Sequence, residues 1–394
     1  MLNPRRLALA AHVQSQIDEL APPLQARVMA AHSDELFWSG DAERRRKLCD
    51  NAVAIARAIG DPHVLADALA SHNLMIDLTE PSGFDQIEAQ TTEMIDVAAG
   101  IDDSLVFDAL ISRMVARIAQ GEVAAGDQDL DRAEQLAERL RIPQIISPAK
   151  QMRTARALLA GRLDDTDILL ADFEAHSARS GVSSITPAGS IRYRLQYERG
   201  ELAGLEDFLV MIIEAQPAVP VWRMALCGVY LQTGRLDLVR PHVEAVGADD
   251  FAMVPRNQAF LLTCSSTARF AGEVGSLAVA ETAYRHASAF DDVFPFPGVV
   301  WEVPVGIGVG VAATALGWYD RAEQHYANAL ALCERADAPT YLASTQVYWA
   351  EMLVRRNAAV DAERAQLLAT AAHQTSAQLG LKYMHGRAER LLAG

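Results

Sequence analysis

The chain has 394 residues, 51% of them hydrophobic and 22% charged, which supplies enough apolar material for a continuous core and argues against wholesale disorder. Its formal charge of −16 and pI near 5.1 describe a surface that repels phosphate backbones, so direct nucleic-acid binding is not expected.

From the N-terminus, Arg5 and Arg6 are followed by no long apolar run before Gln14, Ser15 and Gln16, so no signal peptide is expected. The four cysteines, Cys49, Cys227, Cys264 and Cys333, lie far apart without a CxxC pair, which fits a cytoplasmic protein with reduced thiols. A recurring mark then organises the chain: a helical run, a Gly with a polar or acidic residue behind it, and another helical run. It appears at Gly40-Asp41, Gly83-Phe84-Asp85, Gly126-Asp127, Gly161-Arg162-Leu163-Asp164, Gly200-Glu201, Gly234-Arg235-Leu236-Asp237, Gly272-Glu273 and Gly317-Trp318-Tyr319-Asp320, with a degenerate copy near Asn357. The interval of about 34 to 45 residues is that of paired-helix repeats. Gly ends the first helix in a left-handed conformation, and the acidic residue is expected to cap the second through its side-chain oxygen. A short turn forces the two helices antiparallel.

Prolines 62, 143, 187, 217, 255 and 339 punctuate the helical runs, whereas Pro241 predicts a kink or an early helix end. The stretch 290–304 (FDDVFPFPGVVWEVP) is the longest irregular segment and reads as an insertion; a softer break is expected near 215–221. From Val299 to Leu316 the chain is strongly apolar, but Glu302, Pro304 and three glycines make it a buried helix with its entry loop rather than a membrane span.

The clearest repeat runs from about Val305 to Leu332. Gly310 and Ala313 lie on its first helix, Gly317 at the turn, and Ala322, Tyr326 and Ala329 on its second. Those spacings match the tetratricopeptide pattern, in which small residues let paired helices approach and the aromatic fills the gap. The fold expected is therefore all-α: an α-α superhelix, a right-handed solenoid of about eight to nine such hairpins over residues 1–394 as one body.

Four stretches carry a more specific likeness: 39–62 (SGDAERRRKLCDNAVAIARAIGDP), 158–181 (LLAGRLDDTDILLADFEAHSARSG), 248–273 (ADDFAMVPRNQAFLLTCSSTARFAGE) and 315–356. They resemble the helical-repeat C-terminal region of actinobacterial signal-transduction ATPases that also carry LuxR-type DNA-binding or adenylate-cyclase modules. The chain has no GK pair for a P-loop, no LuxR-type helix-turn-helix and no cyclase signature. The resemblance thus implies the sensor or scaffold half of a regulator, with none of the ATPase or DNA-binding functions.

Catalytic chemistry finds little support. Gly308 to Ala313 spells GxGxxA, but helical flanks make close helix packing the better reading. The histidines include no HExxH, and the acidic clusters at Asp164, Asp165 and Asp167, Asp249 and Asp250, and Asp291 and Asp292 read as helix starts or turns. No catalytic residue, cofactor or metal is expected, and the chain is read as a non-enzyme. Binding is the better prospect, since first helices of such hairpins line a concave face. Counting back from the turns places Arg194, Tyr197, Ser266, Arg269, Glu351 and Arg355 on that face, with Trp222, Trp301 and Glu302 at its rim. An arginine one turn from an aromatic holds a carboxylate while the ring covers apolar surface. Each has a plainer reading, core packing for the tryptophans and an i,i+4 ion pair for Glu351 with Arg355. The sequence thus predicts a cytoplasmic scaffold that binds a protein or peptide segment in its groove, with small-molecule effector sensing as the alternative. Homodimerisation stays open, and no membrane partner is expected.

Overall fold

The computed structural model describes residues 4–36, 41–73, 82–217 and 219–394. Among them there is no strand, and twenty α-helices follow one another in the order of an all-α, α-α superhelical fold. No helix among the described residues is long and apolar enough to cross a membrane. Contacts divide the chain into two compact units, residues 1–117 with 124–149, and residues 118–123 with 150–394. The residues of the expected break near 215–221 all belong to the second unit.

The first unit holds α1 (Pro4–Gln14), α2 (Pro22–Glu35), α3 (Ala42–Ile59), α4 (Pro62–Asn73), α5 (Gly83–Ala98), α6 (Asp103–Ala119) but for its last two residues, which belong to the second unit, α7 (Val123–Leu140) from Ala124 on, and the start of α8 (Pro143–Leu159). Its core alternates small and large: Ala26, Ala30, Ala52, Ala56, Ala66 and Ala109 let helices approach, and Leu69, Met94, Phe107 and Leu110 fill the space between. Carboxylates cap three starts, since Asp41 accepts from the Arg44 amide, Asp61 from His63 and Asp102 from Ser104. Buried Asp129 on α7 takes both Arg113 (2.6 Å) and Arg117 (2.9 Å) from α6.

The second unit continues with α9 (Leu163–Ser180), α10 (Ile185–Arg199), α11 (Glu206–Ala215), α12 (Val221–Gln232), α13 (Leu236–Gly247), α14 (Phe260–Glu273), α15 (Leu277–Ala287), α16 (Val305–Ala315), α17 (Tyr319–Arg335), α18 (Pro339–Arg356), α19 (Asp361–Leu379) and α20 (Lys382–Ala393). The first helices α12, α14, α16, α18 and α20 pack side by side in one layer, and α13, α15, α17 and α19 pair with them from the other side. Late in the sequence α20 also meets α10, so this layer closes on its own beginning.

The turn residues Gly161, Gly200, Gly234 and Gly317 all have φ between 69° and 77°, and Asn357 has φ 54°. Two expected turns sit elsewhere. Gly126 lies inside α7 and Gly272 inside α14; the left-handed residues are Gly121 (φ 85°) and Gly275 (φ 66°). Gly272 is kept small by packing instead, because a Cβ there would lie 2.9 Å from the Val311 carbonyl oxygen. Gly40 lies outside the described residues. The capping expectation also needs correction: Arg162, Arg235 and Trp318 occupy the caps without side-chain bonds, and Asp164, Asp237 and Asp320 sit in the first turn, where they complement the helix dipole. At Pro241 the helix does not end, and α13 runs on to Gly247.

The GxGxxA stretch forms most of α16, a helix of residues with poor helix propensity that is buried on all sides. A Cβ on Gly308 would collide with the Ser265 carbonyl oxygen of α14, and one on Gly310 would lie 2.7 Å from the Tyr326 ring. Close packing is thus the reason for these glycines, and Tyr326 fills the gap they leave.

Candidate functional site

Four first helices of the second unit, α10, α14, α18 and α20, turn polar side chains toward one another. Arg194 of α10 is 3% exposed; it pairs with Glu198 one turn on and with Glu302 at 3.0 Å, and stands 4.5 Å from the centroid of the Tyr197 ring. Arg387 of α20 binds Glu351 of α18 at 2.5 Å and Glu273 of α14 at 2.9 Å, and donates to the Tyr348 hydroxyl. Between them lies Arg269 of α14, 4% exposed. It donates to the Tyr197 hydroxyl at 3.0 Å, its Nε has no hydrogen-bond partner, and among the described residues no carboxylate lies within ion-pairing distance of it.

Four of the surrounding phenols, Tyr193, Tyr341, Tyr348 and Tyr383, stay protonated. Burial pushes Tyr193, Tyr341 and Tyr348 well above the usual phenol range and Tyr383 up to about 12. Tyr197 and Tyr348 each accept a bond from an arginine, and neither hydroxyl hydrogen has an acceptor among the described residues. Glu351 titrates above the ordinary carboxylate range because burial outweighs the Arg387 guanidinium beside it.

Across this layer lies the irregular segment 291–304. It leaves α15 at Phe290, closes on itself where the Val305 amide donates to the Val293 carbonyl (3.1 Å), and forms a compact loop that we call the strap. Its start is anchored on α17, where Asp291 accepts from Asn328 and pairs with His325 at 2.6 Å. Its middle reaches the inner layer through Gln151 of α8, which donates to the Gly298 carbonyl, Tyr341 of α18, which donates to the Trp301 carbonyl at 2.7 Å, and Arg194 of α10, which holds Glu302. The Phe294 amide donates to Ala119. Trp301 is 1% exposed and packs 5.1 Å from Phe296, so it plugs the layer rather than rimming an opening.

No family model matches the chain, and no curated protein matches it. Two solved structures of repeat proteins are similar: a crystal structure of the APC/C hetero-tetramer Cut9-Hcn1, at 13% identity, TM-score 0.33, covering 93% of this chain and 83% of that one, and a circular tandem repeat protein with novel repeat topology, at 12% identity, TM-score 0.24, covering 94% of each. Superpositions this loose carry no argument about function.

Of the anticipated residues, Arg194, Tyr197, Arg269, Trp301, Glu302 and Glu351 converge on the cluster or the strap. Ser266 is buried on the same helix as Arg269. Trp222 is half-buried at the start of α12, its indole nitrogen unbonded. Arg355 is exposed and makes no ion pair with Glu351, whose partner is Arg387. Sequence reasoning missed Glu198, Tyr341, Tyr348, Tyr383 and Arg387, and spent Glu273 on a turn. The one signal available was spacing: Glu198 follows Arg194, and Arg387 follows Tyr383, by one helical turn. Among the described residues there is no grouping of three metal-ligating side chains.

Proposed function

We propose that this chain is a non-enzymatic helical-repeat scaffold that takes an extended protein segment on the inner face of its second unit and acts in regulation. The observation that carries the reading is the strap: the inner layer already holds an irregular piece of polypeptide, taking the Trp301 backbone carbonyl through Tyr341 and the Glu302 carboxylate through Arg194. The regulatory role follows from the sequence resemblance to signal-transduction regulators. To test it, partners are purified from the native host with the wild type and with Arg269→Met, which removes an inward charge that no carboxylate contacts directly. A partner held by the wild type and released by the variant supports the reading. A partner held equally by both places binding elsewhere on the molecule.

A second reading is favoured by Arg269 itself: a buried guanidinium without a carboxylate, beside two phenol hydrogens without acceptors, is a receptor for a small oxyanion effector. Titrating phosphate or citrate at constant ionic strength would then raise Tm in the wild type and leave Arg269→Met unchanged, since a ligand at 100 times its Kd adds about 2.7 kcal/mol. Equal shifts in both proteins reject that site.

A further inference from the structure

We propose that α11 is a docking face separate from the inner layer, and that its occupant is an amphipathic helix of a partner protein whose apolar stripe is flanked by Lys or Arg. This goes beyond the segment-binding reading above and does not depend on it.

The case starts from what α11 leaves in water. Its sequence, EDFLVMIIEA, has six large apolar residues in ten, yet only Leu209 is buried. Phe208 is 50% exposed, Met211 56% and Val210 37%, while Ile212 and Ile213 are half-buried. The helix packs against α12 and against the turn before it, residues 202–205. Another second helix meets water differently: α17 presents Asp320, Arg321, Gln324 and Glu334. Single exposed apolar side chains are ordinary, but a group of them on one short helix marks a contact surface. Phe208 and Met211 stand one turn apart, and such a pair forms a ridge that fits the groove of another helix.

Charge decides the kind of partner. Between Gly200 and Trp222 the chain has four acidic residues, Glu201, Glu206, Asp207 and Glu214, and no basic one. Glu201 is held by Lys382, and Glu206 by Arg235 at 2.6 Å. That second pair ties the start of α13, where Leu236 is also exposed, to the start of α11. Asp207 and Glu214, near the two ends of α11, are exposed and make no ion pair among the described residues. A helix with cations on both sides of an apolar stripe covers the ridge and meets both carboxylates. A second copy of this chain does not fit. Antiparallel pairing of two α11 helices sets Glu214 beside Asp207, parallel pairing sets each carboxylate beside its counterpart, and each chain carries −16. An extended segment has no edge to join, because the described residues contain no strand.

The probe is a fluorescein-labelled synthetic peptide of about 18 residues, long enough to be helical by itself. It has Leu at every third or fourth position and Lys on both sides of that stripe, and a scramble of the same composition is the control. Anisotropy against the full chain is expected to show saturable binding of the striped peptide, about tenfold tighter than the scramble. Phe208→Ser with Met211→Ser is expected to weaken it about tenfold. Asp207→Asn with Glu214→Gln weakens it less and flattens its dependence on salt. No saturable binding, equal binding of the two peptides, or an unchanged affinity in the serine variant overturns the inference, since net charge alone then accounts for any capture. A wild type that sediments as a dimer, dissociated by the two serines, makes the occupant a second copy and overturns it too. Should the serine variant not fold, hydrogen exchange on the wild type decides. Slowed exchange of the α11 amides with peptide bound supports the docking face, and slowing confined to other helices removes it. Arg269→Met, the variant that tests the inner face, leaves peptide binding unchanged, so the two readings fail separately.

Discussion

At the scale of single residues, the three inward arginines look alike in the sequence and differ sharply in surroundings. Replacing Arg194 with Met strands Glu198 and Glu302 in a buried site, and breaking a buried pair from one side costs about 3–5 kcal/mol. Arg269 leaves no carboxylate behind, so Arg269→Met is expected to fall within about 1 kcal/mol of the wild type or above it. Urea unfolding of the two variants reads the contrast, and equal losses would mean that Arg269 has a structural partner after all. The thiols give a second check. All four cysteines are buried, and burial pushes Cys49 up to about 11 and Cys227, Cys264 and Cys333 up to about 12. A thiol whose folded-state value is raised stays protonated through neutral and mildly alkaline pH, and only the thiolate reacts. Ellman's reagent at pH 8 should find no fast thiol in the native chain and four in denaturant.

Among the elements, α16 shows where local rules give way. Its run of Val, Ile and Gly has little intrinsic preference for helix, and burial on every side decides the matter. Gly→Ala inside a helix normally stabilises by about 0.5–1 kcal/mol. At Gly308 the Ser265 carbonyl occupies the space, so Gly308→Ala is expected to destabilise by about 1–3 kcal/mol instead. Gly189 in α10 has nothing within 4 Å of its would-be Cβ, so Gly189→Ala should stabilise. Chemical denaturation of both tests the packing of the α14 and α16 pair, and a Gly308→Ala variant as stable as Gly189→Ala would refute it. The turns were legible at Gly161, Gly200, Gly234 and Gly317, while the left-handed Gly60, Gly100, Gly181 and Gly380 passed unread and Gly83 begins a helix instead. They were misplaced at Gly126 and Gly272, because a glycine kept small by a neighbouring helix looks the same in one dimension as a glycine kept for its backbone. Turns made by Arg141 (φ 56°) and Asp337 (φ 46°) carried no signal at all.

For the molecule as a whole, closure is the feature with the longest reach. Arg387 on the last helix is tied to Glu273, 114 residues earlier, and Lys382 to Glu201, 181 residues earlier. The Lys382 pair is exposed and contributes little. Arg387 is buried, though Glu273 and Glu351 are partly open to solvent, so Arg387→Met is expected to cost on the order of 2–4 kcal/mol. Its signature is faster hydrogen exchange in α10, the helix that α20 packs against, and unchanged exchange there would mean that the closure is held by apolar contact alone. The net charge of −16 predicts at the same scale that the chain leaves a duplex DNA probe unshifted at physiological salt.

Helix content, the pairing of helices around Gly-marked turns and the Gly310–Tyr326 fit were all within reach of the amino-acid sequence, because each depends on contacts within one or two helical turns or one hairpin. The partners of the inward arginines were not. Arg194 meets Glu302 across 108 residues and Arg387 meets Glu273 across 114, separations that carry no periodicity, so only the closing of the second unit decides which charges face each other. The irregular run 290–304 was likewise visible as an interruption, but its place across the inner layer follows from where the first helices stack.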